Sequence, residues 1–191
     1  IARATEHGLE ELSTKYQKID EVPFDFSRRR LSVIVNDGSK TQLITKGAVE
    51  EILSISTMID YQGKVSPMTS EVKENIKRIA KELNKQGLRV VAVSQKNDLD
   101  KTSGFGVSDE KNMILIGFIG FLDPPKETAK SSVEKLNKNG IRVIVLTGDN
   151  VEVTRCVCDK VGIKSNKIIT GTQIDKVSDI GLKRLLKKTN I

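Results

Sequence analysis

A chain of 191 residues holds one large or two small domains; 37% hydrophobic residues supply a core and 30% charged residues suit a solvent-facing surface. The longest apolar run is about ten residues, half of a membrane span, and no signal peptide or lipidation motif is visible, so this stretch is read as soluble, with no direct membrane insertion. A formal charge of +7 suits nucleic acid, an anionic surface or a polyanionic nucleotide, but five Phe, two Tyr, no Trp and dispersed lysines argue against nucleic acid.

The chain begins without Met, already inside a helical pattern with Leu9, Leu12 and Tyr16 as apolar positions. That start is read as an excision boundary in a longer chain, and His7 as a surface residue. Leu31–Val35 and Thr41–Thr45 are rich in β-formers around Asn36-Asp37-Gly38-Ser39, which predicts a hairpin. Just before it stand Phe26 and the run Arg28, Arg29, Arg30. An aromatic ring beside phosphate-seeking charge offers a stacking platform. An ordinary core Phe, the reading given to Phe24, fits the same pattern, and the pattern alone does not separate the two.

The second strand ends at Lys46-Gly47-Ala48, followed by a short helix through about Ser54. A Lys beside a Gly at a strand end can contact phosphate or adenine, Gly admitting close approach to the backbone; a surface lysine is the commoner explanation. Ser66-Pro67-Met68-Thr69 leads into an amphipathic helix to about Lys85, with Val72, Ile76, Ile79, Ala80 and Leu83 on one face and Gly87 as its stop. Leu88–Val93 is the next strand, and its Arg89 interrupts an apolar run, as a charge aimed at a site or an edge position would. Asn97–Asn112 is polar and reads as a mobile loop.

Met113–Leu122 is a buried-looking strand halted at Asp123-Pro124-Pro125, since Pro fixes φ and cannot donate a ladder hydrogen bond. A helix over about Thr128–Asn137 presents Val133 and Leu136 and stops at Gly140. Ile141–Leu146 reads as a second buried strand delivering Thr147-Gly148-Asp149 to its carboxyl end, the edge where open α/β sheets bind ligands. A hydroxyl, an exposed backbone and a carboxylate in sequence suit a phosphoryl group with nearby Mg²⁺; a capped helix start is the bland alternative. A helix to about Val161, a strand at Lys167–Thr170 and a basic helix at Ser178–Lys188 complete the pattern. Cys156 and Cys158 lie two apart on a helix, so they project to different faces and cannot form a metal-ligand pair; no metal site is expected from protein side chains. Two unpaired cysteines fit a reducing cytosol.

Four ordered motifs, DFSRRRLS, TKGAVE, LRVVAVS and the DPPKE to TGDN block, resemble the cytoplasmic part of P-type cation-transporting ATPases over nearly the whole chain. The resemblance implies an α/β fold: an antiparallel-sheet nucleotide-binding domain flanked by helices over residues 1–123, then, over 124–191, part of a Rossmann-like phosphorylation domain of the haloacid dehalogenase type. It implies ATP and Mg²⁺ as cofactors, adenine against Phe26 near Lys46 and Gly47, and phosphates reached by Arg89 and Arg28. Asp123 would stand at a hinge, with Thr147, Gly148 and Asp149 holding the transferred phosphoryl group. The parent would hydrolyse ATP through an aspartyl-phosphate, coupled to cation movement at the cytoplasmic face of the membrane, with transmembrane and actuator domains as partners.

The consecutive arginines after KIDEVP look most like the bacterial magnesium-transporting branch, with calcium, sodium and proton pumps sharing the plan. DKTGT, which would carry the phosphorylated Asp, and GDGxND, which would hold the catalytic Mg²⁺, are absent from these residues, and the acidic residue expected near adenine has no clear match. The chain by itself is therefore expected to be inactive. A free-standing phosphatase of the dehalogenase type would need a DxD or DKT motif on a strand before the inserted domain, and none stands there; a non-catalytic nucleotide-binding module remains the other alternative.

Overall fold

The computed structural model describes residues 15–97, 99, 103–165, 167–187 and 189–190. His7, Leu9 and Leu12 of the expected first helix lie outside the described residues. The described elements are β1 (Gln17–Asp25), β2 (Arg30–Asn36), β3 (Thr41–Gly47), α1 (Val49–Ile55), β4 (Ser56–Tyr61), β5 (Lys64–Pro67), α2 (Ser70–Lys85), β6 (Leu88–Lys96), a 3-10 turn at Val107–Asp109, β7 (Met113–Leu122), α3 (Thr128–Lys138), α4 (Val151–Lys160), α5 (Gly171–Ile174) and α6 (Asp179–Leu186). The chain falls into two compact units, one holding the chain up to Arg78 with Val90–Ile119, the other Ile79–Arg89 with the chain from Gly120 onward.

The described strands form one open sheet in the order β1-β2-β3-β6-β7-β4-β5. The expected β2–β3 hairpin forms in register, Ser32 opposite Thr45 and Ile34 opposite Leu43. Its turn is organised by Asp37, whose Oδ1 accepts from the Ser39 and Lys40 amides at 3.0 and 2.9 Å. Those two amides, Lys40 first, hold its carboxyl down at about 2.

Alternation along β2 and β3 buries Ser32, Ile34, Leu43 and Thr45 and leaves Leu31, Val33 and Ile44 half-buried on the opposite face. Ile34, Leu43 and Met113 form the centre of this core, with Ile55, Leu99 and Phe105 packed against them. The segment Asn97–Asn112, expected to be mobile, is thus tied down in its described part, because two of its few apolar residues pack on the sheet and Glu110 is buried.

The sheet is mixed, which corrects the expected antiparallel arrangement: β4 runs parallel to β7 and antiparallel to β5. The connection from β4 to β7, through β5, α2 and β6, has the length that parallel neighbours require. Strand β1 and the β4–β5 hairpin had no counterpart in the sequence pattern. β1 is exposed at nearly every position, so no hydrophobic alternation marks it. The β4–β5 turn uses Gln62 and Gly63, both at positive φ (54° and 82°), where only Gly advertises itself in the sequence.

β7 is buried only at its start. Met113 and Leu115 lie opposite Ser56 and Ile59 at 0% and 1% exposure, whereas Phe121 and Leu122 are 52% and 59% exposed. Phe24 is likewise half-exposed at 50%, not the core residue expected.

In the second unit Cys158, Val161 and Ile163 form a small core with Ala129, Val133, Val143 and Val145. Asn150 caps α4 by accepting from the Glu152 amide at 2.9 Å, and Gly162, at φ 78°, follows its end. Ile141–Leu146 does not become the expected buried strand. It alternates half-buried Val143 and Val145 with exposed Ile141, Ile144 and Leu146, and joins no ladder among the described residues. One backbone bond, Val145 N to Asn190 O at 2.8 Å, ties it to the end of the chain. Lys167–Thr170 forms no strand either.

Candidate functional site

In the first unit a four-residue turn, Phe26–Arg29, joins β1 to β2. Asp25 closes it twice, its side chain accepting from Arg28 N at 2.8 Å and its carbonyl from Arg29 N at 2.7 Å. The Phe26 ring projects from this turn at 88% exposure, touched edge-on by Phe24 with centroids 5.2 Å apart. Phe26 is therefore not a core residue. A large aromatic held out in solvent on a short, braced turn gains nothing in folding and is free to stack.

The turn lies beside the segment carrying Lys46. Ala48 N donates to Arg29 O at 3.1 Å, and Arg30 pairs with Gly47. A Cβ on Gly47 would stand 2.6 Å from both Arg29 O and Arg30 Cβ. Gly47 therefore admits the chain's own backbone; the sequence reading had reserved that approach for a ligand. Lys46 is exposed and enters no ion pair among the described residues, so its ammonium is available to an anion.

The three consecutive arginines are a different matter. Arg28 Nη1 donates to Glu110 Oε1 and Oε2 at 2.9 and 2.8 Å, and Arg30 Nε donates to Oε2 at 2.8 Å. Arg29 pairs with Glu51 at 2.6 Å, which raises its pKa above the ordinary value. The run that looked phosphate-seeking is met by two carboxylates of the same unit. Glu110, whose side chain is 0% exposed, also accepts from Ser32 Oγ at 2.7 Å. Burial pushes its carboxyl up, but the donors Arg30, Ser32 and Arg28 outweigh burial and hold it below the usual range. Ser32 Oγ lies 2.8 Å from Thr45 Oγ1, so the network crosses from β2 to β3. Ser94, opposite Thr45 on β6, is buried with an unpaired hydroxyl.

Sequence reasoning missed Glu110, which stands in a polar stretch among other charges. The available signal was indirect: three adjacent arginines before a core strand need carboxylate partners.

In the second unit Arg89 donates to Asp149 Oδ1. This bond first, then the Asp149 charge and more weakly that of Asp123, raises the Arg89 pKa. Arg89, Asp123, Pro124, Pro125 and Asp149 line a cleft of about 200 Å³ with Gly87, Val153 and Val157. Gly87 is at φ 86°, and a Cβ there would come within 2.9 Å of Cys156 Sγ, so α4 packs directly on this turn. Thr147 Oγ1 accepts from the Asp149 amide at 3.1 Å. No atom would lie within 4 Å of a Cβ at Gly148, which leaves its backbone open to an approaching group. The structure thus gathers Phe26, Arg28, Lys46 and Gly47 in one unit and Arg89, Asp123, Thr147, Gly148 and Asp149 in the other.

The family described as P-type ATPase, cytoplasmic domain N, matches residues 1–128. The chain belongs to the P-type ATPase family. The magnesium-transporting ATPase, P-type 1, of Salmonella typhimurium strain LT2 is 42% identical over 187 residues, 97% of this chain and 21% of that protein. The protein of the same name from Escherichia coli K12 is 40% identical over the same shares. The calcium-transporting ATPase of Bacillus subtilis strain 168 is 28% identical over 189 residues, again 97% of this chain and 21% of that protein. The chain therefore spans 21% of the length of these curated relatives. No described helix is long and apolar enough to cross a membrane.

Proposed function

We propose that the first unit binds ATP, with adenine stacked on Phe26 and Lys46 drawn to the nucleotide, and that the chain serves a P-type ATPase coupling ATP hydrolysis to magnesium transport. The observation that carries the nucleotide reading is Phe26 itself, 88% exposed on a turn braced against the strand of an unpaired lysine. Stacking on one base contributes roughly 1–3 kcal/mol, enough to matter for a weak site. Arg28 and Gly47 serve this site by shaping it, since their contacts are with Glu110 and the turn backbone.

Residues 1–123 are assigned to the nucleotide-binding domain and 124–191 to part of a phosphorylation domain of the haloacid dehalogenase type. In the latter, Thr147, the open Gly148 backbone and Asp149 suit the oxygens of a transferring phosphoryl group, with Arg89 and Asp123 beside Asp149. The described residues hold no group of three or more His, Cys, Asp or Glu suited to a metal. Mg²⁺ fits this chain as the companion of the nucleotide phosphates, supplying charge neutralisation, with Asp149 as the carboxylate placed to orient it. The magnesium assignment draws on the identity to magnesium-transporting relatives, 42% against 28% for the calcium-transporting one. The parent's membrane and actuator domains, and the cytoplasmic face on which the chain would work, belong to the same proposal.

Titrating ATP into the chain while following amide NMR shifts tests the reading. Shifts concentrated at Phe26–Arg30 and Lys46–Ala48 are expected. No change in either segment at millimolar ATP would overturn it. With γ-labelled ATP the chain is expected to form no phosphoenzyme, because no DKTGT segment is present in its sequence. Stoichiometric label on the polypeptide would contradict that.

A further inference from the structure

We infer that Glu110 is a positioning residue for the nucleotide site: its buried carboxylate clamps both arginines that flank the strained point of the β1–β2 turn and so fixes where the Phe26 ring is held. The inference rests on the stacking role of Phe26 proposed above. It begins from a problem of order. The Phe26 ring has solvent on nearly every side, with Phe24, itself half-exposed, as its aromatic neighbour, so the ring does not anchor its own turn. Within that turn Arg29 adopts φ 46°, a left-handed conformation that a non-glycine residue keeps only when its surroundings enforce it.

The enforcing groups are the residues on either side. Arg28 reaches Glu110 with one guanidinium nitrogen and Pro23 O, back on β1, with another at 2.8 Å. Arg30, the first residue of β2, reaches the same carboxylate. The two side chains are 19% and 12% exposed, and the Glu110 side chain is fully buried. One carboxylate therefore holds positions 28 and 30 together, and the backbone between them has no freedom to relax.

Through Ser32 and Thr45 the same network reaches the residue preceding Lys46. The stacking surface and the unpaired lysine are consequently braced by one set of hydrogen bonds. Burying three charges is a poor way to gain stability compared with apolar packing. It is a good way to impose one geometry, and a binding surface ordered in advance does not lose affinity to ordering on binding.

The test uses the whole chain, titrated with AMP and with ATP and followed by NMR, in wild type, Glu110→Gln and Arg28→Met, each also in a Phe26→Leu background. Positioning through Phe26 predicts that both variants weaken AMP and ATP by the same factor, about three- to tenfold. In the Phe26→Leu background each should cost less than about twofold, because the residue it acts through is gone. A loss confined to ATP would make Arg28 a direct phosphate ligand and overturn the inference. An equal loss in the Phe26→Leu background, or no loss in either variant, would overturn it as well. If Phe26→Leu alone leaves both affinities unchanged, the stacking reading fails, and this inference with it. Arg28→Met keeps the Arg30–Glu110–Ser32 bonds and carries the test should Glu110→Gln fail to fold.

Discussion

Two apolar runs of similar length meet different fates in this chain. Leu31–Val35 enters a sheet with neighbours on both sides, and its Ile34 is fully buried against Leu43. Ile141–Leu146 is as apolar, but among the described residues it joins no ladder, its backbone bonds running from Ile141 N to Leu136 O and from Val145 N to Asn190 O, and Leu146 is 90% exposed. The lesson is that side-chain pattern sets which residues could be inward, while the ladder decides whether they are.

The sharpest way to break this comparison is hydrogen exchange. Amides of Ile34, Leu43 and Thr45 should exchange slower than those of Ile144 and Leu146 by a factor of about a thousand or more, since one set opens with the sheet and the other has no ladder to open. Equal protection in a proven monomer would show that the second unit is as firmly built as the first.

Truncation gives the next largest contrast. Leu43→Ala removes a fully buried side chain and should cost about 2–5 kcal/mol, whereas Leu146→Ala should stay within about 0.5 kcal/mol. Both are read from urea melts followed by amide NMR signals of each unit, since Tyr16 and Tyr61 both fall in the first. A large loss for Leu146→Ala would mean that the exposed run is covered in solution.

Much of this was legible in advance. The β2–β3 hairpin, α2 and the start of α4 follow from turn chemistry, apolar spacing and a capping Asn. β1 was not, because exposed residues carry no alternation, and neither was the parallel β4–β7 pair, which joins segments far apart in sequence. The site was half legible. Phe26 and Lys46 could be singled out from residue type, and the structure leaves both unencumbered. What Arg28 and Arg30 do could not be read, because their partner Glu110 lies some eighty positions away and resembles any other solvated glutamate until the fold buries it.

Acid titration sharpens the comparison on the side of the first unit. Glu110 has its carboxyl held below the ordinary range in the folded chain. Its contribution to stability is therefore complete above the unfolded value, about pH 4.3, and is lost as the pH falls toward the lower folded value. Melting of the first unit should show extra proton uptake on unfolding in that window, approaching about one proton, and Glu110→Gln should abolish it. An identical acid profile in the variant would mean that the carboxylate is not the paired group described.

The account turns on one side chain being kept out of the core for a ligand, so the most direct measurement is the Phe26→Ala variant, with ATP affinity and melting temperature determined on the same samples. The expected result is an affinity reduced about ten- to hundredfold, corresponding to roughly 1–3 kcal/mol of stacking, with an almost unchanged melting temperature. Unchanged affinity, whatever the melting temperature does, would contradict the account.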